Sequence, residues 1–303
     1  MSRFENGGIC QADYSALEMR VLGLRANDKA MTQAYFEGQD IHKATASLAF
    51  DTPIEEVTKD QRQAAKAIAF GIVYGKSEKS QAAELGITEA EAHDIFQKYY
   101  ATKPAVEQFI NDTHVFVEKY GYVETMQGHR RLLKGIWTKD KKNDALRQSI
   151  NSIIQGTGAY LTNTAVIYID DFLQKNNMRS KLVATVHDSI VLDCPPEEIA
   201  TVASVVEFIM ANLPIPFLQI EWNGKMVQYP IDAETEIGVN YKDAVGFDAE
   251  DFKTFKSIKG YADYHKALAK FEDYADSKVI TKEQMEEGQA AIRASKAAYQ
   301  AVE

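Results

Sequence analysis

Apolar and polar positions along this chain follow two rhythms, one close to a helical period and one that alternates. Ile9-Cys10-Gln11-Ala12-Asp13 is a short apolar run that ends on a carboxylate, the pattern of a buried strand. Leu17, Met19, Val21, Leu22 and Leu24 continue as a largely apolar helix, with Glu18 and Arg20 among them. From Met31 to about Tyr120 the helical period dominates, interrupted at Thr52-Pro53 by a turn signal. Residues 62–75 (RQAAKAIAFGIVYG), 81–85, 88–100 and 104–120 each predict a helix. Thr58 or Asp60 is placed to cap the first, Gly71 and Gly75 loosen its end, and Thr88 with Glu91 forms a capping box.

Alternation returns at residues 121–125 and is strongest at 181–193, where two β-branched runs flank His187-Asp188 as a hairpin with these two residues at its tip. Between these stretches a charged loop at 138–144, read as mobile, precedes a helix from about 144 to 173. Residues 197–212 read as a helix that Pro214 and Pro216 break, and 220–241 as a pair of strands. Beyond Tyr241 the chain turns to helix formers without proline and predicts two or three helices appended to the main body. A sheet that carries segregated helices makes the chain α+β.

Composition narrows this little. At 303 residues the chain suffices for two domains, or for one with a large insertion. Apolar residues make up 45% and charged residues 26%, ordinary for a soluble globular protein. No apolar run reaches membrane-spanning length and MSRFENGG lacks a signal-peptide core, so a cytoplasmic protein without a membrane is expected. Cys10 and Cys194 are too few and too far apart for a disulfide framework or a cysteine metal site. A net charge of −10 argues against DNA binding by the surface as a whole but permits a local basic groove. Arg130, Arg131, Lys134, Lys139, Lys141, Lys142 and Arg147, against Asp140 and Asp144, are a candidate groove or else a solvated face.

Candidate chemistry gathers on four stretches. Arg62, Lys66, Phe70 and Tyr74 recur every four residues, which on a helix lays two cations and two aromatic rings along one stripe. Such a stripe suits a phosphate-bearing, stackable ligand, or is simply an aromatic core edge beside solvated bases. Asp13 and Glu18 are a divalent-ion pair or a helix cap and a surface acid. Arg147, Asn151 and Gln155 make a hydrogen-bonding stripe or a solvated polar face. The hairpin tip presents Asp188 where another strand end could meet it.

DYSALEMR at 13–20, RQAAKAIAFGIVYG at 62–75 and VHDSIVLD at 186–193 resemble, in that order, the three polymerase motifs of the family-A DNA polymerases. GQDIHKATA, GYVETMQGHRR and RQSINSIIQGT also look like that family, so the resemblance spans roughly residues 9–241. It implies a right-hand palm, an antiparallel sheet with helices, plus mainly helical fingers. Residues 1–33 would form the first part of the palm, 34–134 the fingers, 135–242 the second part of the palm and 243–303 a helical extension. It further implies that Asp13 and Asp188, with the backbone carbonyl of Tyr14, hold two Mg²⁺ ions for in-line phosphoryl displacement. By the same resemblance Arg62 and Lys66 bind the phosphates of the dNTP, with His42 as a further contact. Phe70 packs beside the sugar and base, Tyr74 stacks near the templating base, and Glu18 is a steric gate against ribonucleotides. Arg147, Asn151 and Gln155 would touch the primer-template in the minor groove and His187 the primer end.

Ser189 departs from the pattern, since many members carry a Glu there, and Gln63, Ala69 and Tyr160 also differ, as in a phage-like lineage. The first catalytic strand lies almost at residue 1, so a thumb and 3′–5′ exonuclease are expected on a separate N-terminal polypeptide. Asp232-Ala233-Glu234 has the form of an exonuclease motif but lies in what the resemblance makes the final strands of the palm, and reads as a surface strand. The expected activity is therefore DNA-directed DNA synthesis. The alternative is a non-catalytic DNA-binding or assembly module; a metal-dependent nuclease leaves the stripe at 62–74 unexplained.

Overall fold

The computed structural model describes all residues from Met1 to Glu303. In chain order the elements begin with β1 (Gly8–Tyr14), α1 (Leu17–Ala26), α2 (Lys29–Phe36), α3 (Ile41–Ala49), α4 (Lys59–Val73), α5 (Glu78–Leu85), α6 (Glu89–Thr102) and α7 (Pro104–Tyr120). They continue with β2 (Tyr122–Glu124), β3 (Arg130–Leu132), α8 (Lys142–Lys175), β4 (Lys181–Val186), β5 (Ser189–Cys194), α9 (Ile199–Ala211), β6 (Gln219–Trp222), β7 (Lys225–Gln228) and β8 (Ala233–Gly238). Last come β9 (Val245–Gly246), α10 (Ala249–Phe252), α11 (Ile258–Asp276), α12 (Lys282–Ala294) and α13 (Lys296–Gln300). The α+β class follows.

Two compact units share the chain. The first takes residues 1–15, 161–213 and 231–303, the second 16–160 and 214–230. These limits differ from those expected after residues 33, 134 and 242.

The first unit is built on a five-stranded antiparallel sheet in the order β4-β5-β1-β8-β9. β5 is buried at every position, and in β1 Cys10 and Ala12 are buried on one face and Ile9 on the other. α9 covers the sheet with Ile199, Val202, Ala203, Val206 and Met210, all fully buried. Each such aliphatic side chain contributes roughly 1.5–3 kcal/mol on leaving water. Gly8 permits the close approach: a Cβ there would lie 2.9 Å from Ile199 and Ile258 and 2.8 Å from the Gly238 carbonyl. Cys10 and Cys194 are free, buried thiols, and burial pushes both up, Cys194 to about 12.

Residues 243–303 belong to this unit and do more than append helices. Val245–Gly246 adds an edge strand to β8, and α11 packs on β8 and β9. Tyr261 donates to the Gly246 carbonyl at 2.8 Å and accepts from the Asp248 amide at 2.9 Å. Asp251 takes His265 at 2.9 Å and Lys296 on its two oxygens, and the Ser257 hydroxyl donates to the Val302 carbonyl. The stretch 220–241, expected as one strand pair, holds three strands: β6 and β7 form a hairpin in the second unit, while β8 lies in the sheet of the first.

The second unit is mainly helical. Thr58 caps α4 in a reciprocal capping box with Gln61, and Thr88 with Glu91 does the same for α6. Ala65, Ile68, Ala69 and Ile72 form the buried face of α4, which packs against α3. α4 stops at Gly75, which takes φ +66° and returns its amide to the Ile72 carbonyl. The charged stretch at 138–144, expected as a mobile loop, is a 3₁₀ turn over Lys139–Lys141 followed directly by α8 from Lys142.

Candidate active site

The carboxylates expected to hold metal lie together in the first unit. Asp13 occupies the penultimate position of β1, and Asp188 lies in the two-residue turn between β4 and β5, where Val186 pairs Ser189. Because β1 pairs β5 in the register Ala12 to Ile190, the hairpin tip reaches the end of β1 that carries Asp13. His187 takes φ +57°, a left-handed value that such a tight turn demands of a central residue. For a side chain other than glycine this costs roughly 1–2 kcal/mol.

Asp13 is pushed up to about 6 by burial, then by the charge of Asp188, by a hydrogen bond shared with it, and by Glu236 and Glu234. The last two were missed from sequence. Asp232-Ala233-Glu234 enters β8, a strand as expected and one inside the sheet, with Ala233, Thr235 and Ile237 buried and Glu234 and Glu236 on the open face. Asp13 pairs directly with Glu234 across the strands, and Ser15 donates to Glu234 at 2.9 Å. Burial and Glu234 push Glu236 up as well. No three His, Cys, Asp or Glu side chains enclose an ion on their own. Two facing carboxylates that repel each other are instead an open oxygen donor set, one that Mg²⁺ shared with phosphate oxygens would fit.

Tyr14 has its ring buried, 2% exposed, and burial followed by Asp188 pushes its hydroxyl well up. Ser189, where an auxiliary Glu was looked for, is buried with its hydroxyl unpartnered.

The stripe of α4 lies in the second unit on the face opposite its apolar one: Arg62 and Lys66 are exposed, Phe70 and Tyr74 half-buried. Lys66 Nζ stands 6.0 Å from the centre of the Phe70 ring, and the Phe70 and Tyr74 rings are 5.8 Å apart, tilted by 33°. His42 extends the row, its ring centre 6.0 Å from that of Phe70. It is 4% exposed with both ring nitrogens unpartnered. Burial pushes it down to about 4 and Lys66 and Arg62 add to this, against Asp40, so the ring is neutral at pH 7.

At the other end of the row Tyr74 meets Glu18 and Gln155. Gln155 donates to the Glu18 carboxylate at 3.3 Å, and the Tyr74 hydroxyl lies beside both without a hydrogen bond of good geometry. Burial and then Glu18 push that hydroxyl up. The candidate sugar gate and the candidate base-stacking ring are thus neighbours, a contact that no spacing in sequence announces.

Arg147 lies against the end of α4, since a Cβ on Gly75 would come 2.9 Å from its Cγ. It pairs with Asp144, and Asn151 keeps a buried, unpartnered side-chain oxygen. Arg147, Gly75, Tyr74 and Phe70 line one cleft of about 690 Å³ together with His114 and Asn143. Part of the basic run is paired within the chain: Arg130 with Glu124 at 2.7 Å and Lys142 with Glu118 at 3.0 Å, while Arg131 donates to the neutral Ser152 hydroxyl.

Comparison with known proteins identifies the family. The chain is 42% identical over 260 residues to a DNA polymerase of Bacillus phage SP01, covering 83% of this chain and 28% of that one. It is 31% identical over 238 residues to DNA polymerase I of Pseudomonas aeruginosa, covering 78% and 25%. The chain therefore spans about a quarter of the length of these relatives. Among solved structures, the POL domain of Pol1 from M. smegmatis, in complex with DNA primer-template and dNTP, matches with a TM-score of 0.69 and 28% identity. That match covers 77% of this chain and 39% of the other. No helix is long and apolar enough to cross a membrane. The family model for DNA polymerase family A matches residues 3–243, and the chain belongs to that family.

Proposed function

We propose that this chain carries out template-directed DNA synthesis, moving a nucleotidyl group from a dNTP to a primer 3′-hydroxyl with release of pyrophosphate. The observation that carries the reading is the Asp13–Asp188 pair, two carboxyl groups facing each other with no cationic side chain among the charges that act on Asp13. Asp13, Asp188 and the backbone carbonyl of Tyr14 would hold two Mg²⁺ ions. Bound there, Mg²⁺ supplies Lewis-acid activation of the primer hydroxyl and neutralises charge on the triphosphate.

The remaining roles fall to side chains of the second unit, except that of His187 in the first. Arg62 and Lys66 bind the β- and γ-phosphates and offset the charge that develops on the leaving pyrophosphate. His42, neutral, contributes a ring nitrogen as a hydrogen-bond partner and no charge of its own. Phe70 packs against the sugar and base, and Tyr74 stacks near the templating base, a contact worth roughly 1–3 kcal/mol that tolerates any sequence. Glu18 crowds a ribose 2′-hydroxyl and so favours deoxynucleotides. Arg147, Asn151 and Gln155 hold primer and template through minor-groove acceptors that every base pair shares, and His187 contacts the primer end.

Residues 1–33 and 135–242 would act as palm and 34–134 as fingers. The chain spans about a quarter of the length of its relatives, and we place its work in a larger or split polymerase beside an N-terminal polypeptide with thumb and exonuclease. Primer extension tests the reading. With Mg²⁺, dNTPs and a primed template, this chain together with such a polypeptide is expected to lengthen the primer. No incorporation, with or without that polypeptide, would reject it.

A further inference from the structure

Asp40 precedes α3 and caps it: its Oδ1 accepts from the amides of His42 at 2.9 Å and Lys43 at 3.0 Å. Those two bonds fix the carboxylate to the backbone, so it does not follow a moving partner. Its Oδ2 accepts from Arg62 Nε, 22 residues further along. The phosphate-seeking guanidinium is therefore already engaged by a protein anion. Arg62 is 44% exposed and Asp40 36%, so the pair is open to water and weak. Burial pushes the Asp40 carboxyl up, but the Arg62 hydrogen bond, then the Lys43 amide, the Arg62 charge and the His42 amide outweigh it and hold the group below its usual range. Asp40 is thus a full anion at neutral pH, one helix away from the stripe.

We infer that Asp40 is a built-in counterion that occupies Arg62 until the phosphates of an incoming nucleotide displace it. This rests on the reading of Arg62 as a phosphate ligand. A triphosphate presents several anionic oxygens to Arg62 and Lys66 at once, whereas Asp40 offers one oxygen to one nitrogen. The triphosphate prevails, and the carboxylate keeps its two amide bonds to α3 throughout. Asp40 then lowers the affinity of any anion for Arg62 by the small worth of an exposed ion pair. It also holds the guanidinium near His42 before the nucleotide arrives. Asp40 is a positioning residue in this scheme, since it touches neither substrate nor metal.

The test is calorimetric titration of the whole chain with inorganic tripolyphosphate, with a dNTP and with the matching deoxynucleoside. Asp40→Asn keeps a side-chain oxygen that caps α3, since Asn caps as well as Asp, but removes the charge. The variant is expected to bind tripolyphosphate and dNTP about twofold to fivefold more tightly, the span of an exposed ion pair, with the deoxynucleoside unchanged. Placing Arg62→Ala in the same chain should erase the gain. Tripolyphosphate binding that is unchanged or weaker in Asp40→Asn, at an unaltered melting temperature, overturns the inference. If Asn disturbs the melting temperature, Asp40→Ser repeats the test with the cap kept and decides in the same way. A wild-type chain that binds neither phosphate ligand overturns the reading of the stripe itself, and the inference with it.

Discussion

Asp13 and Asp188 are about 175 residues apart and meet only because β1 pairs with β5, whereas Arg62, Lys66, Phe70 and Tyr74 sit within sixteen residues on α4 and its cap. The two regions also differ in how they treat charge. The carboxylates face each other with further acids nearby, and the cost is visible in Asp13, held at about 6. The stripe instead comes with its own anion, since Arg62 is paired to Asp40. The carboxylate pair is left wanting a cation, and the stripe is shielded from an anion.

The difference is open to direct tests. Asp188→Ala removes one of the two carboxylates, and primer extension is expected to fall by about 10³-fold or more, with DNA binding in a mobility-shift assay largely kept. Lys66→Ala takes one cation from the stripe; a loss of about 10²–10³ in kcat is expected, the usual cost of losing a donor aimed at developing charge. A rise in KM alone would mean that Lys66 holds the ground state only. Glu18→Ala should admit ribonucleotides about 10–200-fold more readily, measured as the ratio of kcat/KM for dNTP and rNTP, because one crowding contact is worth that much.

The smallest effect sharpens the comparison most. A carboxyl whose pKa is about 6 folded and near 3.8 unfolded binds its proton more tightly when folded. Its contribution is therefore most favourable below about pH 4 and is lost as pH rises through 6. Asp13→Asn should raise the melting temperature at pH 7.5 without metal by a few degrees, about 1 kcal/mol once solvent screening is allowed for. At pH 4 the gain should vanish. Mg²⁺ should stabilise the wild type more than the variant, read by calorimetry across the same pH range.

Much of this was legible in the sequence where the physics is local. The α4 stripe, the capping box of Thr88 and Glu91 and the hairpin around His187-Asp188 all depend on residues a few positions apart, and the structure has each of them. What escaped depends on long-range pairing. Nothing near Glu234 and Glu236 says that β8 will lie beside β1, so the sequence does not mark them as neighbours of Asp13. The Asp40–Arg62 pair bridges two helices, and the Tyr74–Glu18–Gln155 cluster joins three separate stretches. Val245–Gly246 is too short to carry any alternation, so the extension read as helices alone.

The position of β1 in the sheet also bears on how the chain is made. Its partners β5 and β8 follow about 180 and 220 residues later, and its buried positions Ile9, Cys10 and Ala12 have no sheet to enter until then. At the usual pace of synthesis a delay of about 180 residues lasts roughly 10–35 s. During that interval the helical second unit has all but residues 214–230 in hand, while the first strand of the sheet waits with its apolar face and an unpaired thiol in solvent. Ribosome-bound chains should therefore show Cys10 open to alkylation until β5 has emerged, and closed afterwards.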